Sequence, residues 1–120
     1  MIKPLTVYHY PRCSTCKKAL AFLREKRIPF EEVDISVTPP SRDELRAMIE
    51  RRGGIRALFN TSGQRYREGG LSEKVAHMSV EEAVEALAQD GMLVKRPFVL
   101  AGEHGLVGFK PEQWALLASA

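Results

Sequence analysis

The chain has 120 residues, of which 44% are hydrophobic and 28% charged, a composition typical of one globular domain with a single core. Its net charge of +3 is too small to indicate direct binding to nucleic acid. Residues 1–30 nevertheless contain seven basic residues and one acidic residue, a net charge of +6, which leaves −3 for the rest. We expect one domain over residues 1–120, with its positive field concentrated near its N-terminal end.

The first predicted elements are a strand, a helix and a second strand. Leu5–Tyr10 is rich in β-branched and aromatic residues and predicts a strand that Pro11 ends. A helix is expected from about Cys13 to Arg27, because apolar residues recur there at helical spacing. These residues are Cys16, Ala19, Leu20 and Leu23. The alternating segment Pro29–Ile35 predicts the second strand.

Helices are predicted for the middle of the chain. Ser41 and Ser79 each precede a glutamate by three residues, and these two capping boxes predict helix starts. The helix that begins after Ser79 is expected to end at Gly91. Its predicted buried face consists of Val80, Ala83, Val84 and Leu87. Residues 55–60 are expected to form a short helix, residues 61–63 a loop and residues 64–78 short helical turns.

The C-terminal part predicts two short strands and a last helix. The strands are expected at residues 97–101 and 106–109, with a hairpin loop at 102–105. Lys110-Pro111 then predicts a helix that continues through Trp114 to Leu117, with Trp114 in the core. The resulting order is βα, β, several helices and ββα. It indicates an α/β domain with a helical insertion.

Cys13 and Cys16, the only cysteines, form a C-x-x-C motif where the first strand meets the first helix. The unpaired N–H groups and the dipole of a helix start favour a thiolate over a thiol, and Arg12 adds positive charge. We therefore expect Cys13 to be the attacking thiol and Cys16 to resolve a mixed disulfide on it. Half of a zinc site, or two inert buried cysteines, are the alternatives.

Arg96-Pro97 is the second informative feature, because it lies after the last long helix and before a strand. In thioredoxin-like folds a proline before the third strand, usually cis, packs against the C-x-x-C motif. An ordinary edge-strand proline is the alternative. His9, at the end of the first strand, either influences the thiol or faces the edge of the core. The histidines are too scattered to predict a metal site.

Five stretches of the chain resemble the arsenate reductase-like (ArsC/Spx) family. They are Tyr8–Cys13, Pro39–Leu45, Ile55–Gly63, Lys95–Pro97 and Val107–Pro111, and their order and spacing cover nearly the whole chain. The resemblance implies a thioredoxin-like fold with a mixed four-stranded sheet, flanking helices and a helical insertion. It also implies no bound cofactor, and glutathione with glutaredoxin, or thioredoxin, as the external reductant and partner.

In the glutaredoxin-coupled arsenate reductases a cysteine attacks arsenate, and three arginines hold the oxyanion. Cys13 matches that cysteine and Arg96 one of the arginines, but Asn60 and Lys110 stand where the other two would be. The position of Cys16 is a serine in the well-known reductases of this type. Because lysine lacks the guanidinium fork and asparagine lacks the charge, these departures favour dithiol–disulfide chemistry over efficient arsenate reduction.

The other branch of the family consists of Spx-type redox regulators, which bind the C-terminal domain of the RNA polymerase α subunit. We predict a thiol oxidoreductase, with such a regulator, or a member that only binds proteins, as the alternatives. The predicted catalytic residues are Cys13, Cys16 and Arg96; the predicted substrate-binding residues are His9, Arg12, Asn60, Pro97 and Lys110. We expect a cytoplasmic location, because no signal peptide or membrane-length apolar run is evident.

Overall fold

The computed structural model describes residues 4–61 and 63–119. Residues 1–3, which bear on the expected absence of a signal peptide, and Ser62, in the predicted loop at 61–63, lie outside the described residues. The strands are β1 (Leu5–His9), β2 (Phe30–Asp34), β3 (Phe98–Ala101) and β4 (His104–Val107). The helices are α1 (Ser14–Glu25), α2 (Arg42–Arg52), α3 (Gln64–Glu68), α4 (Leu71–Ala76), α5 (Val80–Gln89) and α6 (Pro111–Trp114).

The four strands form one mixed sheet in the order β2-β1-β3-β4. β1 is parallel to β2 and antiparallel to β3, which is in turn antiparallel to β4. The helices α2 to α5 lie between β2 and β3 in the chain, where the helical insertion is expected. The thioredoxin-like α/β fold class is therefore confirmed.

Helices cover both faces of the sheet, because successive residues of each strand point to opposite sides. Val7 packs with α1 and Trp114 on one face, whereas Tyr8 packs with α2 and α5 on the other. Phe98 and Val99 divide in the same way between the two clusters. β1, in the middle of the sheet, thus delivers the chain to the C-x-x-C motif from a buried position.

Both predicted capping boxes are present. The hydroxyl of Ser41 accepts a hydrogen bond from the N–H of Glu44 at 3.1 Å, and the Glu44 carboxylate accepts one from the N–H of Ser41 at 2.9 Å. Ser79 and Glu82 repeat this exchange at 3.1 and 3.0 Å. These bonds satisfy backbone donors that a helix start otherwise leaves unpaired.

Two predictions for α5 are wrong. Val80 is not part of the buried face; it is 46% exposed, because it is the first residue of the helix and lies beyond the layer on which the helix packs. The helix ends at Gln89 with Asp90 as its cap, and Gly91 begins a separate 3₁₀ turn. Gly91 is required there by packing, since a Cβ atom would lie 1.8 Å from the carbonyl oxygen of Ile35.

Other predicted boundaries differ by a few residues. The predicted helix at 55–60 is a 3₁₀ turn over Arg56–Leu58. The hairpin turn is only two residues long, because Ala101 pairs with His104 across it. The last helix ends at Trp114 and continues as a 3₁₀ turn over Ala115–Ser119. Trp114 itself is fully buried, as expected.

Candidate active site

Cys13 is the N-cap residue of α1 and is partly exposed, which brings its sulfur to the start of the helix. The turn after β1 is closed by the N–H of Cys13, which donates to the Tyr10 carbonyl at 3.0 Å. The N–H of Cys16 then donates to Cys13 Sγ at 3.3 Å. The sulfur therefore occupies the place of the oxygen in an ordinary N-cap, where helix N–H groups stabilise a negative charge.

Cys16 lies one helical turn further on and is fully buried beneath Cys13. Burial, with a smaller contribution from the neighbouring Cys13, raises the pKa of the Cys16 thiol to about 12. A backbone hydrogen bond at Tyr10 and the positive charge of Arg96 act in the opposite direction. The two cysteines therefore differ in the way that attacking and resolving thiols should: one is accessible, and the other is buried and protonated.

Arg96 precedes β3, and the bond between it and Pro97 is cis. Its Nη1 donates to the carbonyls of Met92 at 3.3 Å and Val94 at 3.5 Å. The guanidinium also stacks on the ring of Tyr10, with Cζ 5.1 Å from the ring centroid. These contacts hold one positive charge beside the C-x-x-C motif.

Two further side chains reach the site through a short antiparallel pairing between Phe59 and Val94. The N–H of Asn60 donates to the Leu93 carbonyl at 2.8 Å, and the N–H of Lys95 donates to the Leu58 carbonyl at 2.7 Å. This pairing joins the segment after α2 to the segment before β3. It places Asn60 and Lys95 together although they are distant in the sequence.

The segment after β4 forms another wall of the site. The N–H of Gly108 donates to the Pro97 carbonyl at 2.9 Å, and the indole Nε1 of Trp114 donates to the Gly108 carbonyl at 3.0 Å. Phe109 packs edge-on against Trp114. Lys110 follows as the exposed residue that caps α6. A buried tryptophan thus fixes the backbone from which Lys110 projects.

These segments enclose an open cleft of about 570 Å³. The described residues that line it are Tyr10, Arg12, Cys13, Ser14, Thr15, Asn60, Gly63, Lys95, Arg96, Val107, Gly108, Phe109 and Lys110. Four of them are cationic, and among the described lining residues none is acidic. The cleft therefore combines an accessible cysteine sulfur with a positive surface.

The structure brings together five of the predicted site residues: Arg12, Cys13, Asn60, Arg96 and Lys110 all line the cleft. Cys16 and Pro97 are buried behind this surface. His9 is not among the described residues of the cleft lining. It pairs with Asp34 in the sheet, and the pKa of Asp34 lies below its usual value mainly because Ser36 donates to it, with a smaller contribution from His9.

Sequence reasoning missed Lys95 and Tyr10 as site residues. Lys95 belongs to a stretch that matches the family, yet an exposed lysine beside Arg96 has no periodicity or motif to distinguish it. Tyr10 directly follows β1, and only the folded chain shows that Arg96 stacks on it. The adjacency of each residue to a predicted site residue was the one available signal.

Within residues 4–61 and 63–119, no three His, Cys, Asp or Glu side chains are grouped as metal ligands. None of the helices in that part of the chain is long and apolar enough to cross a bilayer.

Comparison with known proteins places these features in a family. The model of the ArsC family matches residues 8–117. The chain is 49% identical to the uncharacterized protein YusI of Bacillus subtilis, over 92% of this chain and 94% of the relative. It is 37% identical to an arsenate reductase of Rhizobium meliloti, over 81% and 69%, and 29% identical to the regulatory protein MgsR of Bacillus subtilis, over 92% and 87%.

A solved structure shows the same fold. The crystal structure of an ArsC family related protein from Bacteroides fragilis superposes with a TM-score of 0.88 at 42% identity. The match covers 96% of this chain and 99% of the other. The relatives thus include both arsenate reductases and regulators.

Proposed function

Because this chain belongs to the ArsC family, we propose that it is a thiol oxidoreductase in which Cys13 attacks the substrate and Cys16 resolves the adduct. The observation that carries this proposal is the hydrogen bond from the N–H of Cys16 to Cys13 Sγ at the start of α1, inside a cationic cleft. A sulfur held there is activated as a nucleophile, and the second sulfur lies one turn away.

With a disulfide substrate, the Cys13 thiolate attacks one sulfur, the substrate S–S bond breaks, and one thiolate leaves. Cys16 then loses its proton and attacks Cys13 Sγ, which releases the second thiolate and forms the Cys13–Cys16 disulfide. The substrate gains two electrons, and the protein dithiol loses them. Glutathione with glutaredoxin, or thioredoxin, returns two electrons and two protons to the protein.

With an arsenate-like oxyanion, Cys13 bonds to arsenic and displaces one oxygen as water. The attack of Cys16 on Cys13 Sγ then breaks the S–As bond and leaves its electron pair on arsenic as arsenite. Arg96 supplies one charged donor for such an anion, whereas Lys110 is a point charge and Asn60 is neutral. We therefore propose a disulfide as the better substrate.

The adduct itself favours the resolving step. Burial, the largest cause of the raised pKa of Cys16, persists when Cys13 forms a mixed disulfide. The hydrogen bond and negative charge of Cys13, which raise that pKa further, are lost, while the opposing charge of Arg96 remains. Cys16 thus becomes more acidic when its attack is required.

Trapping the intermediate tests this proposal. A Cys16→Ser variant, mixed with a small disulfide, should accumulate one adduct on Cys13, whereas the wild type should end as the internal Cys13–Cys16 disulfide. A Cys13→Ser variant is the matched control and should remain unmodified. Intact-mass and peptide mapping read the result. An adduct on Cys16 in the wild type, or no reaction at Cys13, would contradict the assignment.

A second candidate is a redox-responsive transcription regulator, and the observation in its favour is the 29% identity to the regulatory protein MgsR. The partner would then be the C-terminal domain of the RNA polymerase α subunit, as the family resemblance implies. A pull-down with that domain, using the reduced and oxidised chain, distinguishes the two candidates. Either function would operate in the cytoplasm, where the proposed reductants are present.

A further inference from the structure

Three cations of the cleft lack the carboxylate partners that some other basic residues of this protein have. Arg24, Arg42 and Arg46 each form an ion pair with a carboxylate at 2.7–3.4 Å. Within residues 4–61 and 63–119, no ion pair is formed by the three exposed cations of the cleft, Arg12, Lys95 and Lys110. Positive charges gathered in one cleft and not neutralised by protein carboxylates attract an anionic ligand.

Lys95 is the cation of the cleft that matches none of the predicted site positions, yet its place is well defined. Its backbone is held by the hydrogen bond to Leu58, and its side chain passes directly over Gly108. A Cβ atom at Gly108 would lie 3.1 Å from Lys95 Cε and 3.9 Å from Nζ. Gly108, with φ of +74°, therefore leaves the space that the lysine side chain occupies.

Gly108 is itself anchored by Pro97 and by the buried indole of Trp114, so the surface beneath Lys95 is rigid. The ammonium group thus lies along the wall of the same cleft that exposes Cys13. A negative group of the substrate, a few ångströms from the disulfide sulfur under attack, would be attracted to the ammonium group of Lys95. A neutral or positive group at that distance would gain nothing or be repelled.

We propose that Lys95 determines substrate specificity, and that it makes the cleft select organic disulfides whose thiol halves carry a carboxylate. This inference rests on the proposed function and names its substrate class. Cys13 attacks the disulfide sulfur, one carboxylate-bearing thiolate leaves, and the Cys13–Cys16 disulfide forms with release of the other half. Lys95 takes no part in bond breaking; its charge holds the carboxylate of the half that is attacked.

Three disulfides of nearly equal size test the proposal: 3,3′-dithiodipropionate, bis(2-hydroxyethyl) disulfide and cystamine, which are anionic, neutral and cationic. Pre-reduced protein, freed of reductant, is mixed with each, and formation of the Cys13–Cys16 disulfide is followed by mass. Each rate is divided by that of dithiothreitol with the same compound, which removes differences in intrinsic reactivity. We expect the anionic compound to react about three- to tenfold faster than the neutral one, and the cationic compound slowest.

Lys95→Gln should lower the anionic-to-neutral rate ratio by about threefold or more. Lys74→Gln is the matched control, because Lys74 is an exposed lysine of α4 outside the cleft, and it should keep the wild-type ratio. Added salt should lower the ratio of the wild type more than that of Lys95→Gln. No reaction with any of the three compounds would contradict the proposed function. Reaction without an anionic preference, or with one that Lys95→Gln retains, would overturn the inference about Lys95 alone.

Discussion

At the scale of single residues, the site depends on the contrast between two sulfurs that are three residues apart in the chain but differ in environment. Cys13 is accessible at the helix start, whereas Cys16 is buried with a raised pKa. Such an asymmetry would give the proposed reaction a direction, because the exposed sulfur would meet the substrate first and the buried sulfur could act only on the adduct. Arg96 is the residue whose charge acts on the buried member of the pair.

Arg96→Gln should slow the resolving step. The positive charge of Arg96 lowers the pKa of Cys16, so its removal raises that pKa and leaves less Cys16 thiolate at any pH below it. At pH 8, release of the second thiolate from a preformed Cys13 adduct should be about three- to tenfold slower. The rise of this rate with pH should be displaced to higher pH.

Stopped-flow release of a chromophoric thiol from the adduct measures the effect. Arg56→Gln is the control, since Arg56 is an exposed arginine in a 3₁₀ turn outside the cleft lining. Circular dichroism verifies that each variant is folded. Identical pH profiles for Arg96→Gln and the wild type would show that Arg96 does not act on Cys16.

At the scale of elements, one hydrogen bond joins two elements that pack on each other: β1, which precedes Cys13, and α2. The hydroxyl of Tyr8, on β1, donates at 2.7 Å to the carboxylate of Glu44, which also completes the capping box with Ser41. One carboxylate therefore closes the start of α2 and ties it to β1. Burial and the bond to Glu44 raise the pKa of Tyr8 above its usual value of 10.

Tyr8→Phe should lower the free energy of unfolding by about 1–2 kcal/mol near pH 7, because a largely buried hydrogen bond to a charged group is lost. Above about pH 10 the unfolded wild type releases the Tyr8 proton while the native state retains it, so stability falls with rising pH. This loss of unfolding free energy, up to about 1.4 kcal/mol per pH unit, does not occur in Tyr8→Phe, which has no phenol proton to release.

Urea unfolding between pH 7 and 11 measures both effects. Tyr66→Phe is the control, because Tyr66 is a half-buried tyrosine that packs on Phe59 in the same cluster without a bond to Glu44. The difference between the wild type and Tyr8→Phe should shrink above pH 10. A difference that stays constant or grows over this range would exclude the raised pKa of Tyr8.

At the scale of the whole molecule, close packing holds the two sides of the helical insertion together. The end of β2 and the 3₁₀ turn before β3 meet where Gly91 approaches the carbonyl oxygen of Ile35. From this contact the chain runs directly to Lys95 and Arg96. The geometry of the cleft therefore depends on an approach that only glycine permits.

Gly91→Ala should lower the free energy of unfolding by about 3 kcal/mol or more, since a Cβ atom 1.8 Å from a backbone oxygen forces the two segments apart. Gly70→Ala is the control. Its Cβ atom would have nothing within 4 Å, although φ is +63°, so only backbone strain of about 1–2 kcal/mol is expected. Thermal and urea unfolding compare the two. Equal losses would show that the segments separate at little cost.

Much of this architecture follows from local sequence signals. The capping boxes at Ser41 and Ser79 specify helix starts, since a hydroxyl and a glutamate three residues apart satisfy the same N–H groups in any context. The apolar spacing from Cys16 to Leu23 specifies which face of α1 is buried. Val80 shows the limit of such signals: it fits the apolar spacing of α5, but whether it is covered depends on what lies beyond the helix end.

The sequence by itself determined the order of the elements and the C-x-x-C motif at a helix start, because each depends on interactions between residues close in the chain. The thioredoxin-like fold class was implied by the resemblance of five stretches to a known family. Only the tertiary structure decided that Lys95 shares a cleft with Cys13, that Arg96 stacks on Tyr10, and that His9 lies apart. These results depend on the Phe59–Val94 pairing and on the contacts of Gly108 with Pro97 and Trp114. Contacts between distant segments form only when the whole core packs, and no local pattern encodes which side chains will then meet.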